Sequence, residues 1–224
     1  MSFNLNRLQK KIGIEFHQAQ VLEQALTHRS IGHSNNERLE FLGDSVLGFV
    51  VAETLYERFP EADEGVLSRL RASLVNGGTL AELATTLNIG EELVLGPGEM
   101  KSGGRHRKSI LSDALEAIIG ALYLDKGFNE TRVWLLSLLK DKLDVLTIEM
   151  AQKDPKTRLQ EYMQSRGHKV PEYKVLTTTG SDHDQLFEVQ CKVTGISEPL
   201  LAKANSRKKA EQKTALKALK LLNV

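Results

Sequence analysis

Residues 36–47, Asn36-Glu37-Arg38-Leu39-Glu40-Phe41-Leu42-Gly43-Asp44-Ser45-Val46-Leu47, decide how this chain is read. At about 100° per residue, Glu37, Glu40 and Asp44 fall within an arc of roughly 60° on one helix face. The remaining faces carry Leu39, Phe41, Leu42, Val46, Leu47, Phe49, Val50 and Val51. Apolarity nearly all round predicts an interior helix. Carboxylates on such a helix need a compensating cation or must give up their charge. Arg38 points away from them and is a poor local partner, so a metal site is the first expectation.

A second segment repeats the pattern. Ser112-Asp113-Ala114-Leu115-Glu116-Ala117-Ile118-Ile119-Gly120-Ala121-Leu122-Tyr123-Leu124 reads as another interior helix, with Asp113 and Glu116 sharing a face near its start. Taken alone, this pair has two readings. Acids in a first turn meet the helix dipole favourably, with Ser112 as N-cap; alternatively they join Glu37, Glu40 and Asp44 in one site. Two apolar helices with clustered acids favour the shared site. Carboxylates about 4 Å apart repel by on the order of 4 kcal/mol at an effective dielectric near 20, so four or more together demand a dication. Oxygen-only ligands without clustered His or Cys point to Mg²⁺ or Mn²⁺ rather than zinc.

These residues resemble a known family. Glu37-Arg38-Leu39-Glu40-Phe41-Leu42-Gly43-Asp44-Ser45 is similar to the signature of ribonuclease III, and Leu26-Thr27-His28-Arg29-Ser30, Leu95-Gly96-Pro97-Gly98-Glu99 and Ser112-Asp113-Ala114-Leu115-Glu116-Ala117 match its pattern. The resemblance spans nearly the whole chain and is to the short bacterial form. It implies a multidomain protein: an all-α endonuclease domain followed by an α+β double-stranded-RNA-binding domain.

Composition sets the outer bounds. The 224 residues hold one large domain or two modest ones, and 41% apolar with 26% charged residues fits a globular protein with a core. The single Cys191 cannot close an internal disulfide, which disfavours an extracellular scaffold. Residues 1–7 lack a continuous apolar stretch, and the run Val46–Ala52 is too short for a bilayer. No membrane association and no signal peptide are expected, and cytoplasmic residence follows. The net charge of +1 hides a division: residues 151–224 hold 14 Lys+Arg against 8 Asp+Glu, and residues 1–150 hold 16 against 21. An acidic half joined to a basic half suggests cation binding in one and polyanion binding in the other.

Helical periodicity recurs at 4–12, 18–27, 36–58, 65–75, 78–88, 109–126 and 129–146, with breaks at Pro60, Gly77-Gly78 and Gly96-Pro97-Gly98. The expected organisation is a catalytic domain over 1–146, a mobile polar linker over 147–153 and a second domain over 154–224. In the last, Asp154-Pro155 is a helix start running to about Ser165. Strands are expected at 173–178, 186–193 and 200–204, with a hairpin loop at Gly180–Asp184, and a final helix over 206–221. This α-β-β-β-α order resembles a double-stranded-RNA-binding domain.

Duplex RNA is recognised mainly by shape, through its minor groove, 2′-hydroxyls and phosphates. The final helix opens with Ser206-Arg207-Lys208-Lys209, three cations at a dipole N-terminus where phosphates dock, unless this is simply a solvated basic end. The resemblance implies that Thr157, Gln160 and Glu161 face one minor groove and that His183 reaches the next, although a loop His is also an ordinary surface residue. One departure stands out. The family has a Gly-x-Gly turn before the Ser-basic cluster, whereas this chain has Ala202 and Ala204, which restrict positive φ. An altered approach to the last helix is expected.

By the same resemblance, Glu40, Asp44, Asp113 and Glu116 hold the metal, and Asp44, Glu116, Glu37 and Glu64 form the catalytic set. Glu64 has a second reading as an acid that starts the next helix. The implied reaction is Mg²⁺-dependent phosphodiester hydrolysis, with Mn²⁺ able to substitute, leaving 5′-phosphate and 3′-hydroxyl ends. Processing of ribosomal precursors and other structured transcripts is implied with it. No small-molecule cofactor is expected. Because a duplex has two strands, the resemblance implies a homodimer; Phe41 fits a subunit interface, and equally an ordinary core.

The basic stretch Lys101–Lys108 lacks the spacing of a nucleotide-binding loop and reads as a charged loop or an RNA-backbone contact. His28 and His33 have no ligand spacing and are taken as structural or surface residues. Two competitors stand beside the favoured reading. A non-catalytic duplex-RNA-binding regulator gains nothing from clustered acids near a polyanion, and a small-nucleotide phosphohydrolase has no use for the basic C-terminal module.

Overall fold

The computed structural model describes residues 5–151, 153–180 and 185–224, so the expected duplex contact His183 lies outside the described residues. Contacts divide the chain into two units, Met1–Ala151 and Gln152–Val224.

The first unit is built from helices α1 (Leu5–Ile12), α2 (Ala19–Ala25), α3 (Glu37–Arg58), α4 (Glu64–Val75), α5 (Gly77–Thr86), α6 (Ile89–Glu92), α7 (Pro97–Lys101), α8 (Lys108–Lys126) and α9 (Phe128–Asp144). Sequence periodicity anticipates the long ones. The two shortest, α6 and α7, escape it because four or five residues carry no period; α7 forms across an expected break because Pro97 sits at a first helical position, where its missing N–H costs nothing. Start signals match chemistry elsewhere: Asp63 accepts from Val66 N at 2.7 Å to cap α4, and Asn76 accepts from Thr79 N at 3.0 Å to cap α5.

α8 is the central helix. Ile110, Leu111, Ala114, Leu115, Ala117, Ile118, Ile119, Ala121 and Leu122 are all buried along it. Against it lies α3, and glycines set how close the two come. A Cβ on Gly43 would stand 1.7 Å from the Glu116 carbonyl oxygen, and one on Gly120 would stand 2.2 Å from that of Leu39. The helices therefore touch backbone to backbone at this crossing. α3 is not the interior helix its composition suggests: Leu39, Val46, Leu47, Val50, Val51 and Leu55 are buried, whereas Phe41 is 78% exposed, Phe49 57% and Tyr56 74%.

The first-turn alternative for Asp113 and Glu116 is set aside. α8 begins at Lys108 with Arg107 at the capping position, so Ser112 is inside the helix rather than an N-cap. Asp113 and Glu116 then lie beyond the first turn, where the dipole effect has faded. The linker expected over 147–153 is not free along its length. Ile148–Ala151 form a 3₁₀ turn, Ala151 is buried against the first unit, and Arg69 Nε on α4 donates to its carbonyl at 2.6 Å.

The second unit runs α10 (Pro155–Ser165), β1 (Glu172–Thr179), β2 (Leu186–Lys192), β3 (Leu200–Ala204) and α11 (Arg207–Leu221). The strands pair antiparallel in the order β1-β2-β3, with Val175 opposite Val189 and a register shift between Val175 and Thr177. Leu159 and Met163 of α10, Cys191 and Val193, and Ala215, Ala218 and Leu219 of α11 form the core between sheet and helices. Ala202 and Ala204 are buried in β3 opposite Val189 and Phe187. Extended backbone suits alanine, so the replaced glycines leave no strain and the approach to α11 needs no positive φ.

Introducing a methyl at the helix crossing should separate α3 from α8. Gly43→Ala is expected to cost about 3 kcal/mol and lower the thermal midpoint of the first unit by roughly 6–12 °C in calorimetry. An unchanged melt would show that the close approach is dispensable.

Candidate functional site

The crossing fixes the site. Glu40 projects from α3 three residues before Gly43, and Glu116 projects from α8 at the carbonyl that Gly43 touches. Asp113 lies one turn earlier on α8. Ligand oxygens of Glu40, Asp113 and Glu116 all lie within 4.8 Å of one another, and all three residues are half-buried. Glu40 and Asp113 line a polar cleft of about 340 Å³, bordered also by His28, Arg29, Asn36, Glu37, Glu99 and Arg107.

Charge dominates this cleft. Glu116 is pushed up to about 7, first by burial and then by Asp44, Glu40 and Asp113. Glu40 is raised by burial and by Asp113, Glu37 and Asp44, with Arg29 opposing. Asp113 is raised by burial, although its contact with Ser112 and the fields of His28 and Arg29 pull the other way. Among the described residues, no Lys or Arg forms an ion pair with Glu40, Asp113 or Glu116. Arg29 is turned instead toward Glu37, 3.6 Å away and largely in solvent. A hard dication fits this donor set: three carboxylates from two helices, no soft ligand, and repulsion that only a cation or a proton relieves.

The other expected residues take distinct places. Asp44, exposed one turn beyond Glu40, lies outside the set of three and acts on Glu116 through space. Glu37 sits at the cleft edge, its Oε2 accepting from Asn35 Nδ2 at 3.2 Å. Glu64 is not brought to the cleft of its own chain. It begins α4, accepts from Ser68 Oγ at 2.6 Å, and borders an apolar groove with Phe49, Tyr56 and Leu67.

Sequence reasoning missed the walls of the cleft. Ser30 Oγ accepts from Gly96 N at 2.7 Å and also meets His28 Nδ1 at 2.9 Å, which joins the 26–30 and 95–99 segments behind the acids. His28 is thus a buried structural residue, as taken from its spacing. In the basic stretch, Arg107 Nη1 pairs with Glu99 Oε1 at 2.5 Å, and Arg105 donates to the carbonyls of Gly90 and Glu91. Two of its cations are therefore structural ties. The signal was present as Glu99 and Arg107 at opposite ends of one loop, but only folding reveals that the loop closes on itself.

In the second unit, Ser206 caps α11 by accepting from Lys209 N at 3.2 Å, which leaves Lys208 and Lys209 exposed in the first turn. Arg207 Nε is held by Glu211 Oε1 at 2.9 Å. On α10, Thr157 Oγ1 donates to Asp154 Oδ2 at 2.9 Å, Glu161 pairs with Lys153 at 2.5 Å, and Gln160 is exposed. Among the described residues no helix is long and apolar enough to cross a membrane.

Comparison with known proteins accounts for both units. Residues 18–143 match the model of the ribonuclease-III-like family and residues 155–222 that of the double-stranded RNA binding motif. The chain is 56% identical over 219 residues to ribonuclease 3 of Colwellia psychrerythraea, covering 98% of this chain and 82% of that protein. It is also similar to a structure of the nuclease domain of ribonuclease III from Campylobacter jejuni that describes flexibility in a region involved in dimer formation. That match has 45% identity and a TM-score of 0.62, covering 63% of this chain and 100% of that one. A Dicer structure from Pichia stipitis is 29% identical with a TM-score of 0.50, covering 91% of this chain and 94% of that one. A helical nuclease unit with an acid cluster, joined to a duplex-RNA-binding unit, places this chain in the ribonuclease III family as a ribonuclease III enzyme.

Proposed function

We propose that the chain is an Mg²⁺-dependent endoribonuclease that hydrolyses phosphodiester bonds of double-stranded RNA to 5′-phosphate and 3′-hydroxyl ends. The observation that carries this reading is the convergence of Glu40, Asp113 and Glu116 without a cationic partner, in a chain that also has a duplex-binding module. Glu40, Asp44, Asp113 and Glu116 would hold the ion. When bound, it supplies a water nucleophile at neutral pH and charge stabilisation at the phosphate. The protein's own part is positional. Glu116, charged above pH of about 7, would be one of the ligands, and Glu37 at the cleft edge would orient solvent. Thr157, Gln160 and Glu161 on α10, Ser206 to Lys209 on α11, and His183 beyond the described residues are proposed to contact the duplex. Mn²⁺ is proposed to substitute for Mg²⁺.

A homodimer belongs to this reading. Phe41, Phe49 and Tyr56 are exposed within an arc of about 80° on α3, and an apolar groove runs beside them. The Campylobacter relative's region of dimer formation supports a second copy as the occupant. Glu64 borders that groove and does not reach the acids of its own chain, so its proposed catalytic part is played toward those of the second copy. Cytoplasmic processing of ribosomal precursors and other structured transcripts is proposed with the same activity.

Glu116→Gln should lower cleavage of labelled duplex by on the order of 10²- to 10³-fold while duplex affinity stays at the native value. Full turnover by this variant would defeat the assignment. The pH dependence has a definite sign. Raised carboxyls hold their protons to higher pH in the folded chain than in the unfolded one, so the metal-free fold loses stability as pH rises from about 4.5 to about 7. Magnesium, which binds the ionised form, should offset that loss. Its half-saturating concentration, read by thermal shift, should fall about tenfold from pH 6 to pH 8, following the ionised fraction of a group near 7.

A further inference from the structure

Glu211 is a buried acid that duplex binding by α10 and α11 does not itself explain. It lies on α11 just past the Ser206 cap, with its side chain 8% exposed. A carboxylate buried to this degree is costly unless cations and hydrogen bonds meet it. Lys156 Nζ, from the first turn of α10, donates to Oε2 at 2.6 Å, and Arg207 Nε, one turn back on α11, donates to Oε1 at 2.9 Å. Burial alone would raise this carboxyl, and the bonds from Lys156 and Arg207 outweigh it and hold the group below its ordinary value. Lys156 is fixed from a third side, with Nζ 4.7 Å from the centroid of the Tyr173 ring on β1.

The next residue adds a second tie. Gln212 Oε1 accepts from Lys156 N at 3.0 Å, and its Nε2 donates to Asp154 Oδ1 at 2.5 Å. Asp154 in turn accepts from the N–H groups of Lys156 and Thr157, both at 3.1 Å. Apolar packing between the helices, through Leu159, Met163, Ala215 and Leu219, lies deeper in the unit. The first turn of α10 is therefore joined to the second turn of α11 by polar bonds centred on Glu211 and Gln212.

We infer that Glu211 is a positioning residue for duplex binding, which fixes the separation and rotation of the α10 and α11 first turns without touching RNA. The inference rests on the reading that these turns form the RNA face. A-form RNA is recognised by shape, so contacts must be held at a set spacing before the duplex arrives. Glu211 also holds the Arg207 guanidinium by one bond, beside the exposed Lys208 and Lys209, which make none to it.

The test uses the full chain, with duplex affinity measured in chelator and cleavage in magnesium. Glu211→Gln should weaken duplex binding and raise KM by about tenfold, with kcat at saturating duplex retained. Lys156→Met should also weaken binding, and the double variant should lose much less than the product of the two single losses, because the Lys156–Glu211 bond is common to both. Losses that multiply in the double variant would overturn the inference. So would tighter binding with a salt slope steeper by about one to two, the mark of Lys156 and Arg207 released to phosphates. If Glu211→Gln fails to fold by circular dichroism, Lys156→Met, which keeps the Arg207 bond, decides alone by its KM-against-kcat split. A Lys208→Ala/Lys209→Ala variant separates the two levels. If it leaves affinity unchanged, the RNA-face reading fails; if it weakens binding while Glu211→Gln does not, only the inference falls.

Discussion

The first unit depends on a contact that no side chain makes. At the crossing of α3 and α8 the backbones meet through Gly43 and Gly120, with no room for a methyl on either. Close approach has two effects that pull against each other. It removes apolar surface around Leu39, Leu47, Leu115 and Ile119 from water, which stabilises the unit. It also carries Glu40 toward Asp113 and Glu116, which repel. Larger residues at 43 and 120 would relieve the repulsion by spacing the helices, and the acids would then no longer converge. The glycines thus hold an electrostatically unfavourable arrangement with the packing energy of the central helices.

That balance explains why the acids are half-buried rather than buried or exposed. Full exposure would let solvent screen them, and their affinity for a dication would resemble that of any acidic surface. Complete burial would keep them protonated, with the metal competing against desolvation. In the intermediate position, burial is still the largest cause of the upward shift of Glu116, Glu40 and Asp113, with mutual repulsion next for Glu116 and Glu40. The cleft wall contributes by restraint: Arg107 is paired with Glu99 and Arg29 leans to Glu37, so neither guanidinium occupies the place between the three carboxylates.

Much of this was legible in the sequence, and the parts that were not share a cause. Long helices declare themselves by period, and the acids were found because a charge on an apolar helix is anomalous. α3 was read as interior because composition counts apolar residues without saying which have partners within one chain; Phe41, Phe49 and Tyr56 count the same whether they face a core or a second molecule. Glu64 joins the other acids through the family resemblance alone, and residue type does not say which way its side chain points. Gly43 and Gly120 passed unnoticed because a helical glycine normally signals weakness, and only the neighbouring backbone turns it into a requirement. Thr147–Ala151 lacks large apolar residues in a pattern, yet one buried Ala151 and one bond from Arg69 dock it.

The two units handle buried acids in opposite ways, and the contrast separates architecture from chemistry. Glu211 is buried, yet it is held below its ordinary value because Lys156 and Arg207 meet both of its oxygens. Glu116, half-buried, has no such partner and is pushed up to about 7. A carboxylate satisfied by the protein's own cations has nothing left to bind and serves to hold elements together. One left unsatisfied among its like stores an unfavourable interaction that an outside cation can relieve, and that difference is what makes a cluster of acids a site.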